Sequence, residues 1–195
     1  MVQRPWIGLG TLTALAASIV SVSASTDLQI VDSAALGVRR DLPWSELVQI
    51  DDPFEGQFIG VFDRNYFFDQ FLNARARIEV QSLWRPESVR VLLIARDRDC
   101  TGNAIGNSTL SDLSCSAIIS SRKVTELFVR VDEQVFQISG ENNLFQVNAE
   151  LAQALQSAPS ETVTIRLVTE YGEAIDSEIG PETVEAWAAV YAEIP

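Results

Sequence analysis

The side chains best spaced for chemistry lie at Asp97-Arg98-Asp99-Cys100-Thr101-Gly102-Asn103. Oxygen-bearing side chains at alternate positions, with a glycine at the sixth, are how a calcium loop opens. The oxygens converge on one point, and the glycine permits the sharp turn behind them. Asp97 and Asp99 fill the first and third positions, but the fifth is Thr101. Ser108 stands at the twelfth, where a bidentate Glu belongs, so Asp112 is the nearest later acid. These departures favour the plainer reading, an acidic turn. Calcium is the one cofactor the sequence suggests, and the metal ligands would be Asp97, Asp99, Thr101 and Asp112.

Cys100 and Cys115 bracket the same segment and are the chain's two cysteines. A redox pair would prefer a C-x-x-C spacing, and two thiolates cannot hold zinc without help from histidine. Outside a reducing compartment such a pair is most simply a disulfide. Closing a loop of about 15 residues would stabilise the fold by roughly 3 kcal/mol in the chain-entropy account.

Four further groupings carry weaker chemistry. Asp51, Asp52 and Glu55, close to Trp44, Phe54 and Phe58, could supply the carboxylate pair of a glycosidase. But 27 acids in 195 residues make acidic clusters common, and a solvated loop is the default. Ser120-Ser121-Arg122-Lys123 has the S-x-x-K spacing of penicillin-recognising acyl enzymes. Those enzymes need a second lysine, and Lys123 is the only one here. Tyr66, Phe67, Phe68 and Phe71 could form a sticky surface for a glycan, lipid or protein, although core packing is the commoner fate of such side chains. Asn107-Ser108-Thr109 is a glycosylation sequon only in a host that modifies asparagine.

The chain contains no histidine. That removes Ser-His-Asp and Cys-His nucleophiles, every His-ligated metal site, and the side chain that most often moves protons at neutral pH. Carboxylate chemistry and hard-cation binding survive, so the sequence leans away from an enzyme. A formal charge of −13, with 14 basic residues against 27 acidic, argues against nucleic acid and against an anionic membrane surface.

Compartment is read from the amino terminus. Arg4, the uncharged run Ile7 to Val20 and Val22-Ser23-Ala24 have the order of a secretory signal cleaved after Ala24. Residues 1–24 are therefore expected to be removed, leaving 171 residues of formal charge −14 with no membrane span. An uncleaved anchor is the alternative, because Trp6 to Ala24 nearly reaches a bilayer's width.

The elements that would position these groups follow from periodicity. Residues 25–41 read as a flexible lead-in and 42–195 as a single domain, divisible into 42–122 and 123–195. Phe58 to Phe62 reads as a strand, and Asp63 to Asn73 as a short helix or aromatic loop on the 67/71 spacing. Ala74 to Trp84 alternates, with Arg75, Arg77, Glu79 and Gln81 on an expected solvent side. Val89 to Ala95 is a central strand, and 96–116 a long loop. Leu127 to Val131 with Val135 to Ile138, and Thr162 to Thr169 with Glu173 to Ser177, form two hairpins. Each precedes a helix: Ala149 to Ser157, capped by Asn148, and Pro181 to Tyr191. Val184, Trp187, Ala188 and Tyr191 share one helical face, and Trp187 is expected to be buried.

These readings give an α+β domain, mostly antiparallel sheet with two or three helices, its C-terminal part running ββαββα, with one disulfide. The functional expectation is a secreted or periplasmic, non-catalytic binding module with an unidentified protein or glycan partner. A carboxylate-based hydrolase and a calcium-stabilised structural domain are the alternatives.

Overall fold

The computed structural model describes residues 28–37, 41–71, 74–99 and 116–192, with backbone alone at 69–71, 74–76, 97–99 and 116–118. Its frame is three long antiparallel strands, β3 (Gly56–Phe71), β4 (Ala74–Arg85) and β5 (Ser88–Asp99). Strand β2 (Leu47–Asp52) pairs with the start of β3, and β1 (Gln29–Val31) lies parallel to β2. The free edge of β5 is shared. Strand β6 (Ser116–Arg122) pairs with Leu93–Asp99, while the short β9 (Leu144–Gln146) pairs with Ser88–Arg90. From β9 the ladder runs on through β8 (Gln134–Glu141), β7 (Val124–Val131), β10 (Val163–Thr169) and β11 (Ala174–Ile179).

This sheet curls. Strand β11 comes back beside β3, where Asn65 Nδ2 donates to Ser177 Oγ at 3.2 Å. The inward side chains of both walls therefore meet in one core: Val61, Ile78, Val80 and Val91 from one side, Leu127, Val129, Ile165 and Leu167 from the other. Period-2 alternation delivers those residues to a single face. The bend at β8–β9 is local chemistry. Asn142 and Asn143 take φ of 53° and 63°, the left-handed pair that a tight two-residue hairpin turn requires. At Gly140 a Cβ would stand 2.4 Å from the Phe145 ring, so only glycine lets that ring close under the turn.

Helices α1 (Ala149–Gln156) and α2 (Pro181–Val190) touch each other and add Leu151, Leu155, Val184 and Trp187 to the core. As expected, Asn148 caps α1, its Oδ1 accepting from Leu151 N–H at 2.8 Å. Trp187 is fully buried, its ring centroid 4.5 Å from that of Trp84. Ala188, assigned to the same face, is exposed; Val190 is buried instead.

The fold class is corrected by this architecture. The chain is not α+β but a single large curled sheet of eleven strands, with two helices among the described residues. The helices, of 8 and 10 residues, add side chains to a core lined mainly by strand residues. The expected disulfide falls on Cys100 and Cys115, which lie outside the described residues, as do residues 1–27 with the expected signal. No helix among the described residues is long and apolar enough to cross a membrane.

Two local expectations also fail. Asp63 to Phe71 is neither helix nor loop but continues β3, and residues 72–73 lie outside the described residues. The 67/71 spacing fits a helix, but Asp63, Asn65 and Phe67 alternate equally well with Arg64, Tyr66 and Phe68, and pairing along β4 decides for the strand. Residues 28–37, read as part of a loose lead-in, carry β1 and bury Val31 and Ala34 over the outer face of β2–β4.

Candidate functional site

On the outer face of the β3–β6 wall, register sets side chains in rows across the strands. One row is Arg64–Gln81–Leu92, the next Tyr66–Glu79–Ile94–Ser121, and the third Phe68–Arg77–Arg96–Ile119. Two arginines thus face each other directly across β4 and β5, a pairing that is unfavourable by itself. Glu79 relieves it. It is 3% exposed, and its Oε2 accepts from Arg96 Nε at 3.2 Å and Nη2 at 3.0 Å. Its Oε1 accepts from Gln81 Nε2 at 2.6 Å, and the Tyr66 hydroxyl also bonds it. A buried carboxylate is stable only with such a complement of donors.

The remaining arginines are held by rings. The guanidinium carbon of Arg64 lies 4.4 Å from the Trp44 ring centroid and 5.0 Å from that of Tyr66, and the guanidinium carbon of Arg77 lies 4.3 Å from the Tyr66 centroid. Stacking occupies the flat faces of a guanidinium and leaves its N–H edge for a planar anion. Burial and the neighbouring Glu79 hold the Tyr66 hydroxyl above its ordinary value, so it stays a neutral donor. Phe68 is 68% exposed and Ile119 58% exposed, at the two ends of the Arg77–Arg96 row. The site therefore has cations at its centre and apolar groups at its margins.

The sequence reading found part of this site and misplaced part. It singled out Tyr66, Phe67, Phe68 and Phe71 together. Alternation separates them: Tyr66 and Phe68 face outward, and Phe67 packs against the core. It expected Arg77, Glu79 and Gln81 to be a solvated side, yet Glu79 and Gln81 are buried. The available signal was an acid and an amide in a run otherwise bearing arginine on that face, and β-branched or aromatic neighbours on both flanking strands.

The other candidate residues that are described lie on separate elements. Asp97 and Asp99 lie in β5, their backbones paired with Ile118 and Ser116. Thr101 and Asp112 lie outside the described residues, as does the Asn107 sequon. Ser120 lies within β6 and Lys123 follows its end. An odd separation along an extended chain sends the two side chains to opposite faces. In the 51–55 cluster Asp51 is exposed. Asp52 turns in to accept backbone N–H bonds from Ala34 (2.8 Å), Phe54 (2.8 Å) and Glu55 (3.1 Å), which hold its carboxyl below the usual range. Glu55 pairs with Arg85 and, at 2.8 Å, with Arg90.

One acid that the sequence did not mark is Asp63, 4% exposed on the inner side of β3. Helix α2 starts at Gly180 with no side-chain cap of its own. Asp63 takes that role from another element, accepting the Thr183 hydroxyl at 2.7 Å and the Gly180 backbone N–H. Burial raises its pKa against those bonds, and the charge of Glu182 adds to the rise. Its carboxylate docks α2 on β3. Comparison with protein-family models, with curated proteins and with solved structures finds no match to this chain.

Proposed function

We propose that the protein is a non-catalytic binding module working outside the cytoplasm, and that it binds through the outer face of β3–β6. One observation carries this reading. Arg64, Arg77 and Arg96 are oriented by ring stacking and a buried glutamate, beside exposed Phe68 and Ile119, in a chain whose formal charge is −13. Concentrating scarce cations on one face, and fixing them in advance, lowers the ordering cost of engaging an anionic partner. The export reading of residues 1–24 supplies the compartment.

Site-specific photo-crosslinking in the native host tests the face. A crosslinking amino acid at Phe68 or Ile119 should give a discrete adduct. The same group at Val135 or Tyr171, which are 58% and 68% exposed elsewhere, should not. Adducts of equal yield from all four positions, or none from Phe68 and Ile119, would remove the assignment. Export is tested separately by sequencing the amino terminus of the protein recovered from that host, which should begin at Ser25.

A further inference from the structure

The row Phe68–Arg77–Arg96–Ile119 also defines what kind of molecule fits it. Four neighbouring strands about 4.8 Å apart spread the row over about 14 Å. Its ends are apolar and its centre carries two guanidinium groups, of which Arg96 is already engaged by Glu79. Arg77 is exposed with its guanidinium carbon 4.3 Å from the Tyr66 ring centroid, and among the described residues no acceptor meets its N–H groups. An extended polypeptide places alternate side chains about 6.8 Å apart, so residues i and i+4 are about 14 Å apart with i+2 midway. Apolar side chains at i and i+4 would then reach Phe68 and Ile119 while an acid at i+2 meets Arg77. A sulfated or uronic polysaccharide could match the arginines, but it has no hydrocarbon side chain to cover Ile119. A second copy of this chain would bring its own −13 with it.

We infer that the face recognises an acidic polypeptide segment, a carboxylate flanked two residues away on each side by large apolar side chains. This rests on the assignment of the outer face as the binding surface and names its ligand class. The carboxylate would accept a two-point bond from the Arg77 fork, with Phe68 and Ile119 packing against the flanking side chains.

The test uses the purified protein against two probes, a random-peptide display library and heparin. Enriched peptides should share the acid with its apolar flanks. A synthetic representative should bind about 10–100-fold more weakly to Arg77→Ala, the loss expected for a charge-assisted hydrogen bond. It should bind about tenfold more weakly to Phe68→Ala, and amidation of its central acid should reproduce the Arg77→Ala loss. Arg77→Lys should recover only part, because an ammonium keeps the charge without the fork. Both positions are exposed, so the variants should keep the parent unfolding midpoint. Enriched peptides without acids, or affinities indifferent to both substitutions, overturn the inference. Saturable heparin binding lost on Arg77→Ala, with no such peptide enriched, overturns the polypeptide ligand and leaves the face standing. Indifference of both probes to both variants removes the face as well.

Discussion

The outer face of β3–β5 has two halves built on the same strands with the same alternation, and they hold opposite kinds of residue. Toward the β4–β5 turn, Ile50, Phe62 and Leu83 point outward and are fully buried, roofed by residues 31–36 and Leu42. Six residues further along β3 on the same side, Phe68 is 68% exposed among arginines. Backbone pairing does not distinguish the halves. Cover does. The roof is pinned at three points: Ala34 N–H to Asp52 Oδ2 at 2.8 Å, Arg90 Nη1 to Ala34 C=O at 3.3 Å, and Gly37 to Gln81. At Gly37 the Gln81 side-chain amide both accepts and donates at 2.8 Å, as a neighbouring strand would. Beyond that latch the outward residues become arginine and aromatic types, which tolerate water yet bury well against a partner. Among the described residues, one half is roofed by 31–36 and Leu42, while the other presents Phe68 and Ile119 to solvent.

The sharpest way to break this comparison is the pair Phe62 and Phe68. Phe62→Ala deletes a fully buried ring packed edge-on against Trp44, with centroids 6.2 Å apart. It should cost about 3–5 kcal/mol in denaturant unfolding, as loss of a large core aromatic does. Phe68→Ala should change stability by no more than about 0.5 kcal/mol. Similar losses at the two positions would show that the far half is covered as well.

How much of this was legible in the sequence depended on where each signal was stored. The hairpins β7–β8 and β10–β11, and the helices beginning at Ala149 and Pro181, were readable because their turns and caps are local. Asn148 and Pro181 act on residues within one helical turn of themselves. The curl of the sheet was not readable, since nothing local in Asn65 or Ser177 says that strands 112 residues apart will meet. Strand β9 had a local signal in Asn142-Asn143, but three residues are too few to show a period. The candidate site was half legible: the aromatic run at 66–71 stood out, whereas Glu79 and Arg96 come together only through the β4–β5 register. The lead-in misled for a similar reason. Val31, Ala34 and Leu42 are unremarkable until β2 and β4 supply a surface beneath them.

The latch gives an effect of intermediate size. Gln81 is 1% exposed, and Gln81→Ala leaves both polar groups of Gly37 without that partner, while Glu79 loses a donor. Stripping a buried polar group of its partner costs about 1–3 kcal/mol. Amide exchange should quicken at Ala34 and Gly37 before it quickens in β4 or β5, because the roof would open as a local unit. Uniform acceleration over the whole sheet would mean that roof and wall unfold together, and the two halves would no longer differ in the way described.

The smallest expected effect is a pH step confined to the roof. Three backbone N–H bonds, those from Ala34 and Phe54 foremost, hold the Asp52 carboxyl below the ordinary aspartate value of 3.8. A carboxyl lowered by folding stabilises the native state above that ordinary value, and the contribution is lost as pH falls through the lowered one. Asp63 runs the other way: raised by burial, it adds stability below 3.8 that is lost as pH climbs through its higher folded value. Acidification should therefore loosen the Ala34 attachment while leaving α2 docked through Thr183. Backbone amide signals followed by NMR from neutral pH to below 3.8 should show residues 31–36 shifting first, with Gly180 and Thr183 steady. Asp52→Asn keeps one acceptor oxygen but no charge, so it should weaken the roof at neutral pH and abolish the acid step there. Simultaneous loss of the Ala34 and Thr183 signals, or an acid step that survives in Asp52→Asn, would place the roof's acid sensitivity elsewhere than in Asp52.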